Sequence, residues 1–186
     1  MLQPNFSNFP EIQTNRLLLR RITHKDALQI FRLRSDERVM QFIDKERAAS
    51  IADAEVFINR IIQLLNINDG ITWAIALNNK PETLIGTIGC WRLIKEHYRA
   101  EIGYMLQPEF WQQGIMKEAL NAVINYSFNE LKLHSIEAQI NPENTASAAI
   151  LTSAGFIKEG YFKENFFFNG KFGDTAVYSK LQSNIE

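Results

Sequence analysis

Apolar and polar positions recur at two different periods along the chain, and the switches between them mark out its elements. Over residues 99–107, Ala100, Ile102, Tyr104 and Leu106 fall on one side of a strand and Glu101, Gly103 and Met105 on the other. Past Pro108 the period lengthens: Ile115/Met116, Ala119/Leu120, Val123/Ile124, Phe128 and Leu131 recur at helical spacing. The stretch 109–120 therefore joins a strand to an amphipathic helix. Upstream, residues 16–22 predict a first strand. Thr23 and Asp26 then cap a helix carrying Leu28, Phe31 and Leu33, and Ser50 and Asp53 open a second with the stripe Ala54, Phe57/Ile58, Ile61/Ile62 and Leu65.

Two apolar strands, 71–77 and 84–94, flank the turn residues Asn78-Asn79-Lys80-Pro81 and form an antiparallel meander with 99–107. A short strand follows at 135–140, then a helix from Thr145 to Ala154 with Asn144 as N-cap and Gly155 as its stop. The last stretch folds about Asn169-Gly170 into a hairpin. The order β-α-α-β-β-β-α-β-α-β-β predicts a mixed α/β (α+β) fold. Its mostly antiparallel sheet has about seven strands flanked by about four helices, neither doubly wound nor all-β. A chain of 186 residues suits one domain, residues 1–186.

Composition narrows the function by exclusion. A formal charge of −1, with Lys and Arg spread along the chain, leaves no basic tract for nucleic acid. No apolar run approaches the ~20 residues that span a bilayer, and the start of the chain lacks a charged segment followed by an apolar one. A cytoplasmic protein is expected. One cysteine, Cys90, excludes an internal disulfide and sits in an apolar strand, as a buried structural thiol would. The three histidines stand far apart without partners at metal-ligand spacing, so no metal is assigned.

The helix start after Pro108 carries chemistry. Its first turn, Gln112 to Met116, has no Asp or Glu, so its N–H groups are free for an external anion. Gly114 removes a side chain that would block close approach, and Lys117 adds positive charge. The same residues also fit an ordinary surface helix with a tolerated glycine.

Four segments decide the matter: Thr14-Asn15-Arg16-Leu17-Leu18-Leu19-Arg20; Glu101-Ile102-Gly103-Tyr104-Met105-Leu106; Trp111-x-x-Gly114-x-Met116-x-Glu118-Ala119-Leu120; and Asn144-x-x-Ser147 running to Gly155-Phe156. In order and spacing they resemble the GNAT superfamily of acyl-CoA-dependent N-acetyltransferases, in the RimJ/RimL-like branch that acts on ribosomal-protein N-termini. Trp111 stands where the superfamily commonly has Arg or Gln, and Met116 where it has Gly or Ala.

The resemblance implies acetyl-CoA as cosubstrate. Its pyrophosphate would lie on the N–H groups of Gln112, Gln113, Gly114, Ile115, Met116 and Lys117, and its pantetheine arm along the backbone of Tyr104, Met105 and Leu106. Gly103 would mark a bulge or a close backbone approach, or simply a weakened strand. Glu101 is the candidate general base, with an ion-paired carboxylate, partnered by Arg99, as the plainer role. Asn144 resembles the superfamily's cofactor-contacting asparagine. Ser147 would donate a proton or hydrogen bond to the leaving thiolate, because Leu151 occupies the place of the superfamily's tyrosine acid; Tyr104 and solvent are its rivals.

Glu37, Arg38 and Phe42 would lie over the acceptor entrance. The aromatic cluster Tyr161, Phe162, Phe166, Phe167 and Phe168 would be core, and Asp174 structural. The expected activity is acetyl transfer to a primary amine, foremost a protein N-terminus. The alternatives are a small amine such as an amino acid, polyamine or antibiotic, and a non-catalytic acyl-CoA-binding module. No nucleic-acid or membrane partner is expected, and the chain could act as a monomer or homodimer.

Overall fold

The computed structural model describes residues 1–182. Strands β1 (Ile12–Gln13) and β2 (Leu17–Arg21) lead into helices α1 (Ala27–Ser35), α2 (Glu37–Met40) and α3 (Ile51–Asn66). Strands β3 (Ile71–Leu77), β4 (Gly86–Ile94) and β5 (Arg99–Leu106) form the meander. Then come α4 (Ile115–Asn129), β6 (Ser135–Ile140), α5 (Thr145–Ser153), and the hairpin β7 (Ile157–Phe168) and β8 (Lys171–Leu181). The mixed, mostly antiparallel sheet is as expected, with eight strands and five α-helices among the described residues rather than about seven and four. The additions are β1, two residues long, and α2, a single turn. Neither is long enough to show a period.

The strands lie in one sheet in the order β1-β2-β3-β4-β5-β6-β8-β7. Every neighbouring pair is antiparallel except β5 and β6. That parallel pair holds only from Arg99↔Ser135 to Glu101↔Glu137. Beyond it, β5 stays with β4 as far as Leu106↔Gly86, and β6 stays with β8 as far as Ile140↔Ala176. The sheet therefore opens in its middle, and the facing edges of both strands lack a sheet partner there.

Strand alternation divides the core. On one face, α4 buries Met116, Leu120, Val123 and Ile124 against Ala100, Ile102 and Leu106 of β5 and Leu151 of α5. On the other, α1 and α3 bury Ile30, Leu33, Ala54, Ile58 and Ile61 against Ile22, Ala74 and Leu84, with Met105 alongside. The α3 stripe matches its sequence pattern. In α1 the buried set is Ala27, Ile30 and Leu33, whereas Leu28 is exposed, because a 3-10 turn at His24–Asp26 precedes the helix and shifts its phase.

Local signals hold at the ends of the elements. Asp53 accepts the N–H of Ser50, Asn144 caps α5, and Gly155 ends it at φ +85°. Arg20 spans the buried Asp26 carboxylate with both Nη atoms, at 2.6 and 3.0 Å, so the charge inside the fold is paired. The aromatic hairpin is not core. Tyr161, Phe162 and Phe167 are at least half exposed, since β7 is the outermost strand and no helix covers it.

Candidate active site

The helix start forms a loop with unusual backbone. Gln112 and Gly114 both take the left-handed conformation, φ 57° and 73°. A non-glycine residue there is strained, and Gly114 supplies the second such position at little cost. Its glycine answers a backbone need: an added Cβ would meet only Arg16 Nη2, at 3.5 Å. None of the N–H groups from Gln112 to Lys117 makes a well-formed hydrogen bond among the described residues.

Ile115 and Met116 turn their side chains into the core, which leaves their N–H groups at the open end. Trp111 fixes the loop to the strand before it through Nε1, which donates to the Leu106 carbonyl at 2.8 Å. That bond takes one of the carbonyl's two lone pairs.

The expectation of an acid-free first turn needs correction. The helix begins at Ile115, so Glu118 lies within its first turn. Its carboxylate is already engaged: it accepts from Thr14 Oγ1 at 2.6 Å, the Arg16 N–H at 2.9 Å and Arg16 Nε at 2.6 Å. Burial pushes the Glu118 carboxyl up, but the Thr14 and Arg16 hydrogen bonds outweigh it, and the net direction is below the usual glutamate range. Arg16 also donates from Nη1 to the Gln113 carbonyl at 2.9 Å. A residue from the start of the chain is thus clamped onto the loop.

Glu101 stands where the sheet begins to open, paired with Arg92 Nη1 at 2.8 Å rather than with Arg99, which bonds Glu137. Arg92 sits at φ 49° inside a bulge between Trp91 and Ile94 of β4. Such bulges re-aim side chains. Gly103 lies in regular register opposite Gly89, so the bulge is not there. What approaches Gly103 is the Trp91 indole, whose Cη2 would lie 2.0 Å from an added Cβ. Trp91 and Arg92 were not singled out from sequence, since a bulge leaves no periodic mark.

Tyr104 points to the opposite face from Glu101, toward α5. Its hydroxyl is buried without a well-formed hydrogen bond. Burial pushes it up to about 12, with the neighbouring Ser147 hydroxyl offsetting part of the rise. The two rivals for one role, Ser147 and Tyr104, are therefore neighbours. Asn144 Oδ1 accepts the Ser147 N–H at 3.0 Å, which holds that residue in the first turn of α5.

On the Glu101 face lies a cleft of about 630 Å³. Asp44, Glu46, Glu101 and Asp174 line it against Lys45 and Arg92, with Phe42 and Phe166 to Phe168 as apolar wall. Of the three residues expected over an acceptor entrance, Phe42 lines this cleft and Glu37 and Arg38 do not. Burial raises the Asp44 carboxyl. Asp174 accepts from the Tyr161 hydroxyl and the Glu164 N–H, which hold its carboxyl below the usual range. Cys90 is far from this chemistry in character: fully buried beside Ser127, its thiol is pushed up to about 11 by burial.

From Glu101 to Leu106 the open edge of β5 runs about 17 Å at strand rise. A sheet parted between its two parallel strands, with free helix N–H groups at one end of the opening and a carboxylate at the other, is an arrangement that suits an extended anionic ligand beside a second one.

Residues 16–157 match the acetyltransferase (GNAT) domain, and the chain belongs to this family of acetyl-CoA-dependent N-acetyltransferases. An uncharacterized N-acetyltransferase of Bacillus subtilis, YoaA, is 40% identical over 92% of this chain and 96% of its own. Ribosomal-protein-serine acetyltransferase of Escherichia coli is 31% identical over 55% of this chain and 57% of its own. The crystal structure of spermidine N-acetyltransferase from Vibrio cholerae, in complex with CoA and spermine, superposes with a TM-score of 0.80 at 26% identity, covering 91% of this chain and 97% of that one. No helix among the described residues is long and apolar enough to cross a membrane.

Proposed function

We propose that the chain transfers the acetyl group of acetyl-CoA to a primary amine of a small cationic acceptor bound in the 630 Å³ cleft, with Glu101 as general base. The observation that carries this reading is the charge of the cleft: four carboxylates against two cations, beside an aromatic wall. Such a wall and rim attract a cation by field and by ring faces. The expected RimJ/RimL-like acceptor, a protein N-terminal α-amine, is the second reading. It is favoured by the half-length match to the ribosomal-protein enzyme and by the unpaired edge of β6 beyond Glu137, where a peptide backbone could bond.

The donor set fits coenzyme A. Unpaired N–H groups at 112–117 and an unpartnered buried hydroxyl on Tyr104 are groups that a diphosphate and a thioester sulfur would satisfy. Gln112, Gln113, Gly114, Ile115, Met116 and Lys117 would hold the diphosphate; the open edge of β5 at Tyr104 and Met105, with Asn144 opposite, would hold the arm. The Leu106 carbonyl, which accepts from Trp111, keeps a second lone pair and would join them.

Acetyl-CoA supplies an activated carbonyl, so positioning and one proton transfer are what the chain must add. An amine near pKa 10.4 is neutral well under one part in a thousand at pH 7, against about a tenth to a sixth for an α-amine near 7.7–8.0. A side-chain or polyamine nitrogen thus depends on Glu101 to take its proton, directly or through water. On the other face of β5, Ser147 and Tyr104 donate hydrogen bonds to the departing sulfur. Outright proton transfer from a hydroxyl near 12 to a thiolate near 8.5 is uphill by roughly 5 kcal/mol, so their role is stabilising charge.

The test is thiol release from acetyl-CoA with cationic amines and N-terminal peptides side by side. A KM for the amine that rises with salt, and a Glu101→Gln variant that loses turnover about 10²-fold or more while still binding CoA, are expected. Preference for peptides would replace the acceptor assignment, and a Glu101→Gln variant with an unchanged pH–rate profile would remove the base.

A further inference from the structure

Arg16 reaches the loop from the turn between β1 and β2, nearly a hundred residues away in sequence, and three of its groups are accounted for differently. Nε bonds Glu118 and Nη1 bonds the Gln113 carbonyl, while Nη2 has no hydrogen bond among the described residues. That free Nη2 lies 3.5 Å from where a Cβ on Gly114 would be, over the middle of the unpaired N–H groups. The guanidinium is partly exposed and Glu118 largely covered, so the clamp is inside and the free edge outside.

Electrostatics makes this placement consequential. A carboxylate in the first turn of α4 would oppose an anion at the helix N-terminus. Arg16 cancels it and turns its remaining N–H groups outward. The turn that carries Arg16 is itself tied down, because Asn78 Nδ2 donates to the carbonyls of Thr14 and Asn15, each at 3.1 Å.

We propose that Arg16 is a phosphate-binding residue for the coenzyme A diphosphate and that Glu118 is the residue that positions it. This rests on the reading of 112–117 as the diphosphate loop. A guanidinium held in place donates to a phosphate oxygen in a fixed geometry, and the bond is charge-assisted. The start of the chain, outside the helix–loop segment, thereby becomes part of the cofactor site.

Calorimetric binding of CoA and of pantetheine, which lacks the phosphates, tests it on wild type, Arg16→Gln and Glu118→Gln. Arg16→Gln is expected to weaken CoA about tenfold and leave pantetheine unchanged. Glu118→Gln removes a negative charge from an anion site, so electrostatics alone would tighten CoA binding; loss of the clamp is expected to weaken it several-fold instead. Tighter binding by Glu118→Gln, or a CoA-to-pantetheine ratio unmoved in Arg16→Gln, overturns the proposal. Should Arg16→Gln fail to fold, Arg16→Lys keeps the charge without the fork and is expected to retain part of the preference; full retention overturns it. A wild type that binds pantetheine as tightly as CoA would instead reject the diphosphate loop itself.

Discussion

Gly103→Ala tests the packing of the Trp91 ring on the backbone of β5 beside Glu101. The added Cβ would lie 2.0 Å from Cη2 and 2.6 Å from Cζ2 of Trp91, and ordinary contact begins near 3.4 Å. The ring edge must therefore retreat by the difference, 3.4 − 2.0 = 1.4 Å. Overpacking of this kind costs about 1–3 kcal/mol, and the gain of Ala over Gly in a strand returns about 0.5–1. A net loss of up to about 2.5 kcal/mol lowers Tm by up to about 10 °C for a chain of this size.

Thermal and urea unfolding of the single variant and of the same change in a Trp91→Ala background complete the cycle. Without the indole, Ala at 103 meets no ring, and the change is expected to stabilise by about 0.5–1 kcal/mol. The sign thus reverses between backgrounds. Equal losses in both would refute the reasoning, since the clash would then not be with Trp91. Because Trp91 stands directly opposite Glu101 across the strand pair, Gly103→Ala is also expected to lower kcat/KM for the amine while sparing CoA binding.

Tyr104→Phe removes a buried hydroxyl that has no well-formed hydrogen bond, so the CoA-free protein is expected to gain about 1 kcal/mol in urea unfolding while kcat falls about tenfold; a lower stability would mean that the hydroxyl is satisfied in the free protein. The Glu118 carboxyl is held below its ordinary value of 4.5, so its contribution to stability is present above that value and lost as pH falls through the depressed one. The stability gap between wild type and Glu118→Gln is therefore expected to shrink between pH 6 and pH 3, roughly the carboxylate range; a gap that widens on acidification would reverse the sign of the linkage.

Periodicity carried most of the fold. The α3 and α4 stripes, the β5 alternation, the Asn144 cap and the Asn169-Gly170 turn are all set by residues within a few positions of one another, so they were legible in the chain. The loop at 112–117 was legible for the same reason, as a strand end followed by a glycine and a helix. Elements too short for a period, β1 and α2, left no trace, and the phase of α1 was missed because the 3-10 turn His24–Asp26, itself too short for a period, takes up the residues after the Thr23 cap.

What the tertiary structure alone decided is which distant residues share a site. The opening between β5 and β6 exists because each strand follows a different partner beyond Glu101 and Glu137. Strand alternation puts Glu101 and Tyr104 on opposite faces, and the packing of α5 sets Ser147 beside Tyr104. Arg92 meets Glu101 through a bulge, and Arg16 meets the loop across the seven elements from β2 to β5. Charge pairing between residues far apart in sequence follows from packing, which local patterns do not encode; the loop at 112–117 was therefore readable from the chain, and the Arg16 clamp on it and the Arg92–Glu101 pair were not.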